Sequence, residues 1–412
     1  MPHPLTPPFA VAPLPASQKG RRFPAEWERY ADPLTGREVI RFTSSPAADQ
    51  HLYFTSPSIT ADGRRLVFIS ERSGNPNLFA MDLESGESVQ LTDNRRGVLR
   101  QYVYHWGNHT GFGKASVCLH APSQHAYYIQ ADQVRRVNIV SGEEYCIGIL
   151  PAGFVCAFTH VSGDGSLLAV PITPAAALQN RDGSSDGFRD VHKNILQRRL
   201  HSKILVFRTD GRGSHERVDQ VAWLTHVQFH PHDSNLMLFN HEAIERDPGR
   251  QRIWLHDAST GTIRKIRPEP EDLPHWNCHE QWTLNGREIL YHGNKVVGTD
   301  RDPVPFFGFC APDGVTYREF PLRREDRKYA YGHFTVHASR DRAYCDGYFD
   351  PSLITEASVG DDGTARFTPI CRHDTRWLSQ DDHPHPSLSP DGAMLIFTSS
   401  RDGTPNVYGV RR

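Results

Sequence analysis

The sequence lacks any long apolar run, and no segment approaches the roughly 18 consecutive apolar residues that a membrane-spanning helix needs. It also lacks an excess of charge of either sign. The 46 Lys and Arg residues stand against 48 Asp and Glu residues, which gives a net charge of −2 with histidine neutral. Bulk attraction to nucleic acid or to an anionic membrane is therefore excluded, and we predict neither kind of partner.

Cysteine pairs are missing as well. The seven cysteines are an odd number and include no Cys-x-x-Cys pair, which argues against a disulfide framework and against a zinc ribbon. The first 22 residues carry six prolines and no basic segment of the kind that begins a secretory signal. We therefore expect a flexible arm over residues 1–22, a single domain over residues 23–412, and a cytoplasmic protein.

Several catalytic motifs are absent too. The sequence contains no Gly-x-Ser-x-Gly, no glycine-rich phosphate loop and no His-Glu-x-x-His. Serine hydrolases of the nucleophile-elbow type, P-loop enzymes and zincin proteases are thus disfavoured.

Glycine, proline and histidine are plentiful instead, with 32, 30 and 23 residues. A small or polar turn, often Asp-Gly, recurs ahead of an apolar strand. Each such segment predicts a β-hairpin, because Asp, Asn and Gly tolerate the positive φ that the turn needs. The seven segments are SITADGRRLVFIS (58–70), SVCLHAPSQHAYYIQ (116–130), HVSGDGSLLAVPI (160–172), VQFHPHDSNLMLFN (227–240), EQWTLNGREILYHG (280–293), FTVHASRDRAYCDGY (334–348) and HPSLSPDGAMLIFTS (385–399).

Most of these segments precede a second hairpin with the pattern Asp-x-x-Ser/Thr-Gly, as in RIWLHDASTGTIRKI (252–266). Two hairpins make one four-stranded antiparallel blade. Seven units predict an all-β protein, a seven-bladed β-propeller. We expect the strand at 36–43 to join the C-terminal blade built by 380–411 and so close the ring. We expect residues 175–202 to form an excursion, a segment that leaves the blades and projects from one face of the propeller.

The histidines ahead of the last hairpin form the clearest candidate site. His383 and His385 are two residues apart, so an extended strand turns both imidazoles to the same side, as a shared metal ion requires. Gln380 would add an amide oxygen. When the turns of different blades are aligned, His279 and His226 fall opposite His385, and equivalent positions converge in a propeller. Such ligands without a thiolate suit Mn²⁺, with zinc or iron still open.

Other candidates stand outside this alignment. His241 and Glu242 follow a strand of the fourth repeat, and His105 and His109 lie in the second. A lone histidine of this kind is more often structural than catalytic. The basic residues in and beside the excursion, which could meet an anionic ligand or simply face solvent, are Arg198, Arg199 and Lys203.

Four stretches of the chain resemble the oligogalacturonate lyases, a polysaccharide lyase family with a seven-bladed propeller and a manganese site. The stretches are YADPLTGREVIRFT, WLTHVQFHPHDSNLMLFNHE, CHEQWTLNGREILY and QDDHPHPSLSPDGAMLIFTSSRDGTPNVY. The C-terminal half matches the family in order and spacing, whereas residues 95–200 match poorly. The resemblance implies that the metal ligands are His279, Gln380, His383 and His385.

The resemblance also implies β-elimination on a uronic-acid oligosaccharide, as in pectin degradation. The metal would bind the C6 carboxylate of a uronate, a histidine would take the C5 proton, and the C4 oxygen would leave to give a 4,5-unsaturated product. His226 is the predicted base and His241 the reserve, and the family's arginine would be replaced by Lys203 or Arg199. The predicted contacts to the substrate are His105, His109, Arg198 and His333.

A non-catalytic propeller of the TolB-like sort, acting as a binding or scaffold module, is the alternative hypothesis because it shares the same turns. A scaffold has no reason to gather histidines around one channel mouth. A tightly bound divalent ion in the purified protein would favour the lyase.

Overall fold

Seven antiparallel sheets of four or five strands make up the fold. The computed structural model of the chain describes residues 16–95, 113–178, 188–242, 251–270, 275–297, 300–329, 332–347, 352–377 and 382–412. Each sheet is one blade, so the predicted seven-bladed β-propeller is confirmed.

The strands of the first four blades follow one another along the chain, apart from two N-terminal strands that belong to blade seven. In chain order, β1 (Arg22–Phe23) joins blade one, β2 (Glu28–Ala31) and β3 (Glu38–Arg41) join blade seven, and blade one continues with β4 (Asp49–His51), β5 (Arg65–Ser70), β6 (Asn77–Asp82) and β7 (Ser88–Gln90). Blade two is β8 (Val117–His120), β9 (His125–Gln130), β10 (Gln133–Asn138) and β11 (Glu144–Ile149). Blade three is β12 (Phe154–Cys156), β13 (His160–Val161), β14 (Leu167–Pro174), β15 (Ser202–Arg208) and β16 (Ser214–Gln220). Blade four is β17 (Val227–Phe229), β18 (Leu236–Asn240), β19 (Ile253–Asp257) and β20 (Thr262–Lys265).

The remaining blades repeat the same order. Blade five is β21 (Trp276–Trp282), β22 (Ile289–Val297), β23 (Asp300–Cys310) and β24 (Tyr317–Pro321). Blade six is β25 (Phe334–Val336), β26 (Arg342–Cys345), β27 (Leu353–Val359) and β28 (Ala365–Arg372). Blade seven is β29 (Ser387–Leu388), β30 (Met394–Ser399) and β31 (Asn406–Arg411), completed by β2 and β3. The described residues also form the helix α1 (Phe188–Arg198) and 3₁₀ turns at Lys114–Ser116, Ala175–Leu178 and Arg324–Tyr329.

Hydrophobic side chains fill the spaces between adjacent blades. Strand β5 buries five of its six residues because both faces of its blade are covered, whereas the outer strand β16 buries one of seven. Between blades six and seven, for example, Tyr344 and Ile354 pack with Leu395, Phe397 and Tyr408. The blades are thus held together by apolar burial rather than by shared strands.

The first strands of neighbouring blades contact one another around the axis, as β13 does with β8 and β17, and β25 does with β21 and β29. Since β-strands in a blade are antiparallel, the start of each first strand lies at the same end of the propeller as the end of the second strand. Residues just before the first strands and just after the second strands therefore meet at one mouth of the channel.

The N-terminal strands contribute to two blades. Strand β3 pairs antiparallel with β31, with Val39 opposite Val410, and β2 extends the same sheet. Strand β1 pairs with β7, with Arg22 opposite Val89. Blade seven is therefore built from residues near both ends of the sequence.

The predicted Asp-Gly turns show the local chemistry expected of them. In blade one, Thr60 Oγ1 donates a hydrogen bond to Asp62 Oδ1 at 2.6 Å, and the same oxygen accepts one from the Arg64 amide at 3.0 Å. Gly63 has a φ of 70°, which the missing Cβ makes inexpensive. The turn thus depends on both residues of the Asp-Gly pair.

The excursion between β14 and β15 carries the turn Ala175–Leu178 and α1. Val191 and Ile195 of α1 pack into one buried cluster with Tyr53, Phe158 and Trp223. This cluster lies at the mouth where the first strands begin, so the excursion covers part of that face.

Candidate metal centre and active site

Three buried histidines form a compact group at this mouth of the channel. His333 precedes β25, and His383 and His385 precede β29. Each offers a ring nitrogen, and the three nitrogens lie within 4.8 Å of one another. This spacing allows one metal ion to be bound by all three imidazoles.

His385 gives the clearest sign that this group is made for a ligand. It is 1% exposed, and neither Nδ1 nor Nε2 has a hydrogen-bond partner among the described residues. Its φ of 44° is in the left-handed region, which a non-glycine residue rarely occupies. Because an unpartnered buried polar group and a strained backbone both cost free energy, the residues present fit a bound cation.

Asp346 orients the histidine group through hydrogen bonds to two of its members, His333 and His385. Its Oδ2 lies 2.8 Å from His333 Nδ1 and accepts the backbone amide of His385 at 3.1 Å. A carboxylate on Nδ1 fixes the proton there and leaves Nε2 with a free lone pair, as at many metal-binding histidines. The sequence predicted His333 as a contact to the substrate, and the structure places it inside the histidine group.

His279 stands beside this group because strand β21 is irregular. The pairing of β21 with β22 shifts register between Cys278 and Gln281, and His279 has a φ of 53°. Its ring centroid is 4.5 Å from that of His333, and its Nδ1 lies 2.6 Å from His292 Nε2. The bulge turns His279 toward the axis, which is a common use of bulges near functional sites.

His226 occupies the neighbouring position on blade four, outside the histidine group, and its partners determine which nitrogen is free. Its Nδ1 lies 2.7 Å from Thr225 Oγ1, and Thr225 in turn donates to Glu242 Oε2 at 2.9 Å. A carboxylate only accepts, and Glu242 Oε2 also lies 3.6 Å from Nδ1, so Glu242 favours the tautomer with the proton on Nδ1. The Asn240 amide contacts the same nitrogen at 3.2 Å. In the tautomer protonated at Nδ1, His226 Nε2 has a lone pair that faces the Tyr53 hydroxyl at 3.2 Å.

Glu242 is held as an anion. Its Oε1 accepts a hydrogen bond of 2.7 Å from Arg252, which also donates to Glu280 at 3.0 Å. Burial by itself raises the pKa of Glu242, but the charges of Arg252 and His226 and its hydrogen bonds hold that pKa at about 2. The chain His226–Thr225–Glu242 thus resembles the histidine–acid pairs that orient catalytic bases.

Two further side chains, Tyr53 and Lys114, lie beside the histidine group. The Tyr53 ring lies 4.1 Å from Phe158 and 5.0 Å from His385, measured between centroids. Lys114 is buried, and its Nζ donates to the backbone oxygen of His383 at 3.1 Å. A positive charge is therefore built into the wall of the histidine group.

Four histidines here, namely His226, His279, His383 and His385, are neutral near pH 7. Burial lowers the pKa of His226 to about 4 and that of His383 to about 3. Burial, with the positive charge of neighbouring groups, lowers the pKa values of His279 and His385 well below the usual 6.5. Neutral imidazoles can bind a metal ion or accept a proton, whereas protonated ones can do neither.

The same burial predicts acid sensitivity of the metal-free protein. His373 is fully buried with a pKa of about 4, so the folded form stays neutral between pH 6.5 and 4 while the unfolded chain takes up a proton. Its stabilising contribution is present above pH 6.5 and is lost as the pH falls toward 4. We expect the free energy of unfolding in urea, with chelator present, to fall by about 1–3 kcal/mol per such histidine over this range.

His373→Gln should flatten this pH dependence, whereas replacement of the exposed His232 by Gln should leave it as in the wild type. A free energy of unfolding that stays constant from pH 7 to pH 5 would contradict the prediction.

The remaining predicted site residues have other surroundings. His241 Nε2 lies 2.7 Å from Gln220 Oε1, and its ring is 4.8 Å from Trp254, so His241 faces a separate cavity. Lys203 pairs with Glu216 at 2.7 Å and with Asp219 at 3.0 Å on the outer strands of blade three.

The two arginines of the excursion also stand apart from the histidine group. Arg198 donates to the Ala176 carbonyl at 2.6 Å, and Arg199, just after α1, is exposed. Thus neither arginine is seen to join the group. Gln380, His105 and His109 lie outside the described residues.

Three residues of the site were missed by sequence reasoning, and they are Tyr53, Lys114 and Asp346. Asp346 follows the second strand of blade six, just as the candidate Glu242 follows that of blade four. The position of Asp346 opposite the start of a first strand is the signal that could have found it. Tyr53 and Lys114 carry no such signal.

Comparison with known proteins agrees with this geometry. The family model described as oligogalacturonate lyase matches residues 17–320. The oligogalacturonate lyase of Dickeya dadantii is 25% identical over 95% of this chain and 97% of its own length. The oligogalacturonide lyase of Pectobacterium atrosepticum is 26% identical over the same shares. A solved oligogalacturonate lyase in complex with manganese has a TM-score of 0.78 at 22% identity, over 95% of this chain and 98% of that one.

The family match covers far more than half of the sequence, and the resemblance inferred from the motifs is confirmed. The chain belongs to the oligogalacturonate lyase family.

Proposed function

We propose that this protein is a metal-dependent lyase that cleaves oligogalacturonate-type uronic-acid oligosaccharides by β-elimination. The observation that carries the proposal is the buried histidine group in which His385 has no hydrogen-bond partner at either ring nitrogen among the described residues, next to a separate histidine, His226, whose Nε2 faces the Tyr53 hydroxyl. A metal site and a base are the two parts that this elimination needs.

The metal would be held by His333, His383 and His385, with His279 beside them and Gln380 as the further ligand suggested by the sequence. An all-imidazole group of this kind suits a borderline divalent ion, and manganese is the metal of the solved relative. When bound, the ion would supply positive charge to the C6 carboxylate of a uronate, which makes the C5 proton more acidic.

His226 is the proposed base. Its Nε2 is unprotonated near pH 7 because burial lowers the pKa to about 4. After Nε2 takes the C5 proton, the positive imidazolium is stabilised through Thr225 by the carboxylate of Glu242. The C4–C5 double bond forms as the C4–O bond breaks, and the departing oxygen becomes a hydroxyl group by taking a proton from the solvent or from protonated His226.

The proposal is tested by the ultraviolet absorbance of the unsaturated uronate, measured on digalacturonate and trigalacturonate with added Mn²⁺. A rise in absorbance that a chelator abolishes is the expected result. No rise on these or on other uronate oligosaccharides would overturn the proposal and favour a non-catalytic binding module.

Glu242→Gln tests how the base is oriented. The amide keeps the shape but removes the charge that stabilises protonated His226, so we expect kcat to fall about 10-fold to 100-fold with metal content little changed. Arg252 retains Glu280 as a partner at 3.0 Å, which limits the damage to the fold. The acidic limb of the pH profile of kcat should shift, and a purely structural role would not produce this shift.

Replacement of the exposed Glu84 by Gln serves as the matched control. Full activity in Glu242→Gln with an unchanged pH profile would contradict the assigned role.

We also propose that the enzyme acts in the cytoplasm. All seven cysteines are free thiols, and five of them are buried, as is usual for proteins of reducing compartments. Among the described residues, no helix has the length and apolar character to span a bilayer. Localisation of a tagged protein by cell fractionation would test this.

A further inference from the structure

A second cavity opens beside the proposed active site, over the end of blade four. It has a volume of about 340 Å³, at the lower end of the range of small-molecule sites, about 300–1,000 Å³. It is bounded by the end of β18, the start of β19, the end of β20 and the start of β21, with α1 as a further wall. All these strand ends lie at the mouth of the channel that carries the histidine group.

The cavity and the proposed base share a wall. Glu242 lines the cavity, and its Oε2 lies 3.6 Å from His226 Nδ1. Arg252 also lines it and bridges Glu242 to Glu280, the residue after His279. A sugar unit in this cavity would therefore be next to the unit at His226.

The aromatic lining suits a sugar ring. Three of the seven tryptophans of the chain line the cavity. Trp223 is buried against α1, whereas Trp254 and Trp276 are partly exposed. Indole rings offer large flat apolar surfaces with a polar edge, on which the C–H face of a sugar can pack. His241 packs at 4.8 Å from Trp254 and is itself held by Gln220, so it fixes the position of that indole.

The charge of the lining suits a carboxylate. Lys265 lies at the exposed end of β20 and forms no ion pair with a described residue. Arg252 and Glu242 neutralise each other, and burial raises the pKa of Glu269 to about 7, so this acid carries less negative charge than usual. Among the described residues that line the cavity, Lys265 is then the cation available to an anionic ligand.

From this arrangement we propose that the cavity is a subsite for the uronate unit adjacent to the one that reacts, with its ring on Trp254 and Trp276 and its carboxylate on Lys265. The proposal rests on the proposed lyase function, because it identifies how a longer substrate is held at the same site. It also gives His241 a role in positioning Trp254 rather than in removing the proton.

Binding without turnover tests the subsite directly. Chelator-treated protein is titrated with trigalacturonate, and quenching of tryptophan fluorescence gives the Kd. Lys265→Ala should weaken binding about 10-fold, as expected for loss of a charged hydrogen bond, and Lys265→Arg should restore most of it. Lys193→Ala, which removes an exposed lysine of α1 outside the cavity lining, should bind as the wild type does.

The outcomes separate this proposal from the lyase function. A wild type that binds trigalacturonate through Lys265 but gives no unsaturated product would retain the subsite and overturn the lyase proposal. An active enzyme in which Lys265→Ala changes neither the Kd nor the KM for trigalacturonate would overturn the subsite alone.

Discussion

His226→Ala is expected to lower kcat by about 10²-fold to 10⁴-fold, the usual contribution of a positioned general base. The metal content should stay as in the wild type, because His226 lies outside the group of three histidines whose ring nitrogens converge. Initial rates of formation of the unsaturated product and metal analysis of the same sample provide the measurement.

Two comparisons make this result specific. His226→Gln keeps a polar side chain beside Thr225 and Tyr53 but is not a base, so it should be as inactive as the alanine variant. His232→Ala removes an exposed histidine of the same blade and should be fully active. If His241→Ala abolished kcat while His226→Ala preserved it, the base would be His241 instead.

His385→Ala is expected to remove the metal and to reduce activity to that of chelator-treated wild type. His385 sits at the centre of the group, with its ring centroid 3.9 Å from that of His333 and 5.5 Å from that of His383. Loss of one of three imidazoles leaves too few ligands for tight binding. Metal content after dialysis and the shift of the melting temperature on addition of Mn²⁺ measure the effect, since a bound ligand stabilises the folded state.

Asp346→Asn should reduce metal binding less than His385→Ala does. It leaves the imidazoles in place but weakens the hydrogen bond that orients His333, so the metal affinity should fall about 10-fold to 100-fold rather than vanish. The exposed Asp361→Asn on blade six is the control. Full metal content in both His385→Ala and His383→Ala would show that the ion is bound elsewhere.

The fold could be predicted because its signals are local and repeated. The Asp-Gly turn of each blade uses the same short hydrogen bonds that Thr60 and Asp62 make in blade one, and these depend on residues close in sequence. Counting the turns gave the number of blades. The excursion predicted at 175–202 corresponds to the segment between the end of β14 and the start of β15. The packing of its helix α1 was less visible because the apolar residues Val191 and Ile195 contact residues distant in sequence.

The histidines could be predicted by aligning the starts of the first strands, but their orienting partners could not be read from any motif. In blade six, Phe334 pairs with Cys345, which brings His333 opposite Asp346. In blade four, the corresponding pairing brings His226 opposite Asn240, whose side chain accepts its backbone amide at 2.8 Å. The same register rule, extended to the second strand of each blade, would have found these partners.

The basic residues were harder to assign for a physical reason. Long cationic side chains pair with whichever carboxylates the fold brings near, and Lys203 finds Glu216 and Asp219 across β15 and β16. Lys114 and Lys265 reach the site and its neighbouring cavity from blades two and four. In a ring-shaped fold, residues far apart in sequence can be neighbours, so the sequence positions of these lysines do not predict which groups they contact.

Blade seven also has a consequence for how the protein is made. Strand β3 ends at Arg41, whereas its partner β31 begins at Asn406, so during synthesis at about 5–20 residues per second β3 waits tens of seconds for its partner. His383 and His385 are translated shortly before that partner, on the same blade. His383, His385 and the partner of β3 are therefore made within one short stretch of synthesis, so the histidine group and the closure of blade seven are completed together.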